Sequence, residues 1–296
     1  MSRSVRFEVP VDTSLFTPLQ LQPRAVFNLG MSGWARWLRE HWVAFPRLIR
    51  DQGLGVVIAG MELEYFEPFG FVDADALETN VAVTVRADGA LVFLAARFVS
   101  PCTGAEVARV NAVLRPVRIG EGLTLAAHPA NLRADIVANF GEDEVVRTGS
   151  RVRLRTLASE LEAAEPPIAG ACRAFTVHRH LCETADQWSG IALPDVTTDV
   201  REGLVSERSD DAPALAAAFV HPMRRLAIEF RRPAFFLDPL TVDCSAYVRD
   251  EELIFVHRFS SAVDNEALAM CMEWFAAGSD PLPSGSVQHL DGGGVT

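Results

Sequence analysis

The chain contains no lysine: all 27 of its basic residues are arginine. With abundant alanine, this points to a GC-rich, bacterial coding sequence. Positive charge is also outnumbered, and the net charge of -12 argues against the basic face of a nucleic-acid binder and against a surface that seeks anionic membrane. No run of about 18 uninterrupted apolar residues occurs, so no transmembrane helix is expected. The opening MSRSVRFEVPV lacks the apolar stretch of a signal peptide. The five cysteines (Cys102, Cys172, Cys182, Cys244 and Cys271) are scattered, odd in number and free of any CxxC. They read as free thiols of a reducing cytoplasm. GxSxG, a GxGxxG after a strand and GxxxxGK[ST] are all missing, which argues against serine-nucleophile hydrolases, dinucleotide enzymes and P-loop proteins.

What the chain does have is a repeat. Its 296 residues, 49% hydrophobic and 22% charged, suffice for two cores. Residues 61–98 (MELEYFEPFGFVDADALETNVAVTVRADGALVFLAARF) are answered by 226–259 (LAIEFRRPAFFLDPLTVDCSAYVRDEELIFVHRF). Pro68 matches Pro233, Phe71 matches Phe236, Asp73 matches Asp238, Leu77 matches Leu240, and Arg97-Phe98 matches Arg258-Phe259. The period is domain-sized and too long for a solenoid repeat, so a tandem duplication is expected.

Each copy spells the same order. In the first, 5–11 alternates as an opening strand and 12–25 is a Pro/Gln-rich loop. Residues 29–49 follow, with apolar residues at helical spacing from Leu29 through Trp34, Trp37, Leu38 and Trp42 to Phe45. That spacing predicts one buried helix with Ser32 near its start and Pro46 near its end. Apolar runs at 54–66, 76–86, 90–99 and 106–118 then predict strands, and Asp88-Gly89 predicts a hairpin. In the second, 173–180 is the opening strand and 188–206 a helix with Pro194 in its first turn or at a kink. Runs at 215–232, 240–249, 252–261 and 265–276 follow. The expected domains are 1–119 and 173–277, joined by a surface linker over 120–172 with a short helix at 156–164. The tail 278–296 is expected to be disordered. The fold class is α+β: two curved antiparallel sheets, each wrapping a central helix.

This order, with Pro and an acidic residue entering the second strand of the central pair and a Thr-Gly-Glu type of turn (Thr103-Gly104-Ala105-Glu106), resembles the hotdog fold of acyl-thioester enzymes. The chain looks like a tandem double hotdog of the 4-hydroxybenzoyl-CoA thioesterase-like superfamily. Thioesterases of that kind carry an acidic residue shortly before a small polar pair that opens the central helix, in a pattern like Asp-x-x-Gly-His-Val-Asn-Asn. The second copy reads Glu183-Thr-Ala-Asp186-Gln187-Trp188-Ser189-Gly190. Aligned on Ser189-Gly190, Glu183 takes the acidic position and Gln187 that of the His. Aligned on Ser32-Gly33, the first copy has Val26 at the acidic position. The resemblance therefore implies one working site, in the second half. The departures are Glu for Asp, Gln for His and Ser-Gly for Asn-Asn.

The resemblance implies hydrolysis of an acyl-CoA or acyl-carrier-protein thioester with a bulky apolar acyl group. No cofactor is expected beyond CoA as part of the substrate. Glu183 would activate water or attack as a nucleophile, with Asp186 as the alternative acid. Gln187 or Ser189 would orient the water, and the amides near Trp188 and Ser189 would polarise the carbonyl. Asn28 and Ser32 would line the far side, and Trp34, Trp37, Trp188 and Phe236 the acyl tunnel. Structural roles compete for each: Glu183 and Asp186 also suit a helix cap, and the tryptophans suit a core. His178, His180 and Cys182 would share one face of a strand, and with Glu183 they offer a mixed metal-ligand set. Two alternatives stay open: a hotdog dehydratase or hydratase using a His–Asp pair, and a non-catalytic acyl-binding protein. The fused chain should contain its own partner, as a monomeric pseudo-dimer or a homodimer of such units.

Overall fold

The computed structural model describes residues 3–120, 127–147, 153–183 and 186–278. The tail expected to be disordered lies, from residue 279 on, outside the described residues. The first half runs β1 (Ser4–Pro10), α1 (Pro23–His41), α2 (Phe45–Gln52), β2 (Leu54–Tyr65), β3 (Ala76–Arg86), β4 (Val92–Val99) and β5 (Glu106–Ile119). The connecting region holds β6 (Ala127–Pro129), α3 (Ala134–Val137), β7 (Val145–Val146) and α4 (Leu154–Ala164). The second half follows with β8 (Ala169–Thr176), α5 (Leu193–Arg208), α6 (Ala217–Val220), β9 (Met223–Phe230), β10 (Pro239–Arg249), β11 (Glu252–Ser261) and β12 (Ala267–Ala276).

The strands join into one 12-stranded sheet in the order β1-β3-β4-β5-β2-β9-β12-β11-β10-β8, with β6 and β7 as side additions. The two expected sheets are therefore halves of a single sheet. Each half repeats the other's order about the β2·β9 seam, where the pairing is antiparallel. Ala227 is the residue that answers Glu62 in the second copy, and Glu62 pairs with Ala227 across the seam. A pair of equivalent positions facing one another marks a pseudo-twofold axis. The Asp88-Gly89 hairpin is present: Gly89 has φ +70°, and the Arg86 N–H donates to Leu91 O at 2.9 Å.

Several boundaries differ from the sequence expectation. The helix expected over 29–49 is two helices. α1 starts at Pro23, inside the segment read as a loop, so Ser32 sits in mid-helix. The chain breaks at Trp42, whose φ and ψ are −144° and −93°, and Pro46 opens α2 instead of closing α1. A proline lacks the N–H that a first turn leaves unused, so it is at home there. Gly53, at φ +61°, ends α2, and its N–H donates to Ile49 O at 2.9 Å. The opening strand of the second half ends at Thr176, and 179–181 is a short 3-10 turn. The run 215–232 divides into a 3-10 turn, α6 and β9. Pro194 does lie in the first turn of α5.

The two central helices meet the sheet differently. In the first half, Gly30 and Gly33 let α1 approach closely. A Cβ at Gly30 would lie 3.6 Å from Ala96 Cβ, and one at Gly33 only 2.3 Å from Val81 Cγ2. Gly33→Ala is expected to overpack this contact and destabilise the fold by about 1–3 kcal/mol, read from the denaturant midpoint at unchanged m-value.

The matching place in the second half is ionic. Ala96, just before the Arg97-Phe98 match, is answered by His257. Ala96 lies between Val81 and Val110 on neighbouring strands, and His257 lies between Cys244 and Cys271. Glu273 on β12 is fully buried. It accepts from Thr197 Oγ1 at 2.9 Å and from Arg201 at 2.8 Å, both on α5, and from His257 Nε2 at 3.1 Å.

The connecting region is not merely a surface linker. Leu154, Ala158 and Leu161 of α4 pack on the outer face of the second half, against Tyr247, Ile254, Val256 and Trp274. Ile136 and Phe140 join the main core.

Candidate active site

A cavity of about 340 Å³ opens between the halves. One wall comes from the first half: Met31 and Trp34 of α1, Phe45 and Ile49 of α2, and Gly55 to Ala59 of β2. The other comes from the second half: Glu183, Gln187, Trp188, Gly190 and Ile191, with Phe230 and the following Arg231–Ala234 segment. The loop carrying Glu183 is pinned at its base. Cys182 bridges Trp188 and Gln187 bridges Phe235, while the Glu183 N–H donates to Gln187 O at 2.8 Å. Thr184 and Ala185, within the loop, lie outside the described residues.

Glu183 is the one carboxylate among the described residues lining this cavity. No described side chain hydrogen-bonds or ion-pairs with it. Although exposed to the open space of the cavity, it is surrounded by enough protein that desolvation raises its pKa above the ordinary carboxylate value. Desolvation without a compensating donor disfavours the charged form. Gln187 and Trp188 line the same space, as does Trp34 across from them.

Other candidates stand elsewhere. Asp186 is tied to Arg179 at 2.8 Å, and Arg179 also lies over the Phe236 ring at 4.2 Å; neither Asp186 nor Phe236 lines the cavity. Asn28 and Ser32 are exposed on α1 and do not line it. Ser32-Gly33 is therefore not the counterpart of Ser189-Gly190, which stands at a helix start, and Val26 is a buried α1 residue. Trp37 is core: its Nε1 donates to Arg3 O at 3.1 Å, and its ring stacks on Phe140 at 5.4 Å. Ser189 does not line the cavity and makes no side-chain cap bond.

The amides expected to polarise a carbonyl are occupied. The Trp188 N–H donates to Ala234 O and the Ser189 N–H to Leu181 O, both at 2.8 Å. The helical segment begins one step later, with the 3-10 turn Gly190–Ala192 running into α5. The first-turn N–H groups of Gly190 and Ile191 take no acceptor among the described residues, as expected at a helix start. A Cβ at Gly190 would lie 3.0 Å from the Phe230 ring, so close packing requires glycine there.

The histidines do not form the alternative metal-ligand set. His178 and His180 lie beyond β8, with their rings 6.1 Å apart, and Cys182 Sγ contacts His178 O at 3.5 Å. Among the described residues, no three His, Cys, Asp or Glu side chains are grouped to hold a metal ion.

A curved antiparallel half-sheet around a central helix, repeated and joined edge to edge over an inter-half cavity, is the hotdog fold in its double form. No protein-family model matches the sequence, and no curated protein matches it either. Among solved structures the chain is similar in fold to a protein described provisionally as an oleoyl thioesterase from Lactobacillus plantarum (TM-score 0.68, 9% identity, covering 93% of this chain and 97% of that one). It is also similar to a 12:0-ACP thioesterase from Umbellularia californica (0.63, 8%, 92% and 97%). An acyl-ACP thioesterase from Bacteroides thetaiotaomicron follows (0.59, 10%, 92% and 97%). Among the described residues no helix is long and apolar enough to cross a membrane.

Proposed function

We propose that the chain hydrolyses a thioester whose bulky apolar acyl group enters the cavity between the halves, with Glu183 as its acid–base residue. One observation carries this reading: the one carboxylate described at the cavity is desolvated and has no partner among the described residues, beside two unengaged helix-start amides. The N–H groups of Gly190 and Ile191 would bind the carbonyl oxygen as it gains charge, aided by the positive end of α5. Ionised Glu183 would take a proton from water as the oxygen attacks the carbonyl carbon, then return it to the departing thiolate. Direct attack by Glu183, giving an anhydride that water opens, uses the same geometry. Trp34, Met31 and Ile58 offer apolar wall to the acyl group. The fold likeness to thioesterases supports the class of reaction.

A dehydratase would need a His at the cavity, and no described histidine lines it. The test is thiol release from a panel of acyl-CoAs, short to long and aromatic, and from acyl-carrier-protein thioesters, by wild type and Glu183→Gln. Release by the wild type that the substitution removes supports the reading. Equal release by both sinks the site assignment, and none from any substrate leaves acyl binding as the better account.

A further inference from the structure

The outer face of the sheet differs on the two sides of the seam. In the second half, Ala227, Tyr247, Ile254, Val256, Met272 and Trp274 lie buried in the cluster beneath α4. Strand pairing fixes their equivalents in the first half. Val256 pairs with Met272 and Ile254 with Trp274, as Ala95 pairs with Asn111 and Phe93 with Val113. Tyr247 pairs with Ile254 as Thr84 pairs with Phe93, and Ala227 answers Glu62. All six equivalents, Glu62, Thr84, Phe93, Ala95, Asn111 and Val113, line a second cavity of about 330 Å³.

Every residue lining that cavity belongs to β2, β3, β4 or β5, so it is a groove across four strands with no helix residue in its wall. Where the second half has Tyr247, Val256 and Met272, the first has the shorter Thr84, Ala95 and Asn111, and the floor sinks. The groove is thus the first half's version of the seat that α4 fills in the second. A sheet face of this kind is normally covered by another element.

α4 has a second face to offer. Leu154, Ala158 and Leu161 point into its own seat, so by the helical period Thr156, Ser159, Glu160 and Ala163 point away, and all four are exposed. Glu162, on one flank, pairs with Arg258. Glu160, toward the other, has no partner among the described residues. The groove carries the opposite charge along one rim: Arg97 and Arg109 both bind Glu106, two cations on one carboxylate.

We infer that the groove receives α4 of a second copy of this chain. A twofold axis along the seam, midway between two facing outer faces, sets the α4 of each copy over the groove of the other. The contact is isologous and closes on itself. The two α4 helices then form one layer between two sheets, with the small outward face of Thr156, Ser159 and Ala163 against the sunken floor. Glu160 comes down on the Arg97–Arg109 rim, an opposite-charge match that fixes the register. The inference is independent of the reaction the chain performs.

The test is sedimentation of the full chain over a range of concentrations, where a dimer is expected. Ala95 is exposed in the groove. Ala95→Glu should raise the dimer dissociation constant about a hundredfold, the effect of burying an unpaired charge. Glu160→Arg, on the opposite partner surface, should raise it about tenfold by setting like charges together. Circular dichroism checks that both variants keep the fold. For the arrangement itself, Ala95→Cys and Ala163→Cys are combined in one chain whose exposed Cys102 and Cys172 are changed to Ser. Isotopically light and heavy copies are mixed and treated with a short bis-maleimide. Mass spectrometry should find position 95 of one copy joined to position 163 of the other. A chain that stays monomeric at every concentration, a dimer that neither substitution weakens, or links joining 95 to 95 in place of 95 to 163 would each overturn the inference.

Discussion

Glu273→Ala is expected to destabilise the chain by about 3–5 kcal/mol, the usual result of removing one partner from a buried ion pair. Glu273 is fully buried and is the common acceptor of Thr197, Arg201 and His257. Without it, Arg201 stays in the core at 6% exposure and His257 has no carboxylate beside it. Burial pushes the Glu273 pKa up, but Arg201 and His257 more than reverse this, lowering it to about 2. Burial likewise pushes His257 down, and Cys244 and Glu273 lift it to about 9.

The signs give two edges to the stability profile. The Glu273 contribution is complete above its unfolded pKa, near 4.3, and is lost as pH falls toward about 2. The His257 contribution is complete below about 6.5 and is lost as pH rises through about 9. Urea melts of wild type and Glu273→Ala from pH 5 to 9 check the alkaline edge. Wild type should lose stability on the alkaline side and the variant should not, and a flat wild-type profile would refute the network's role.

Glu183→Gln is expected to lower kcat by about 10²–10⁴-fold, the range for removing a positioned acid–base group, with the fold intact. The raised pKa of Glu183 means that its ionised form is less at ease in the folded chain than in the unfolded one, so above the unfolded pKa it subtracts from stability. Gln carries no charge and should melt no earlier than wild type. Loss of activity together with equal or greater stability distinguishes a catalytic role from a structural one; a lowered melting temperature would point to a cap or anchor. Because the reaction needs the ionised form, wild-type kcat should fall as pH drops through the raised pKa, at a higher pH than for an ordinary carboxylate.

Much of the architecture was legible because a repeat is a long-range signal. The Pro68/Pro233 and Arg97-Phe98/Arg258-Phe259 matches tie distant segments together, and the strands, α5 and the Asp88-Gly89 hairpin followed. Pro46 misled for a physical reason: lacking an N–H, proline suits both the end of one helix and the first turn of the next, and only the Trp42 backbone decides. The close approach at Gly30 and Gly33 was not legible, since Val81 and Ala96 become their neighbours only through the sheet. At the site, Glu183, Gln187, Trp188 and Trp34 were within reach of the sequence. Asn28 and Ser32 were misplaced with the start of α1. The shortness of β9 was hidden because the run 215–232 is longer than 54–66, and only α6 and the 3-10 turn before it shorten the strand. The Glu273 network was equally hidden, since in ALAMCMEWFA a lone carboxylate reads as an outward-facing residue.

The axis through the β2·β9 seam has a historical meaning. Were the two halves separate, identical chains, whatever stands at this position would face its own image. A glutamate would then confront a glutamate, and a small core residue would leave a gap on both sides. Covalent fusion released the position from self-compatibility. Glu62 now pairs with Arg225, while Ala227 lies in the cluster under α4. One position of a symmetric pair has become two, each free to change without the other.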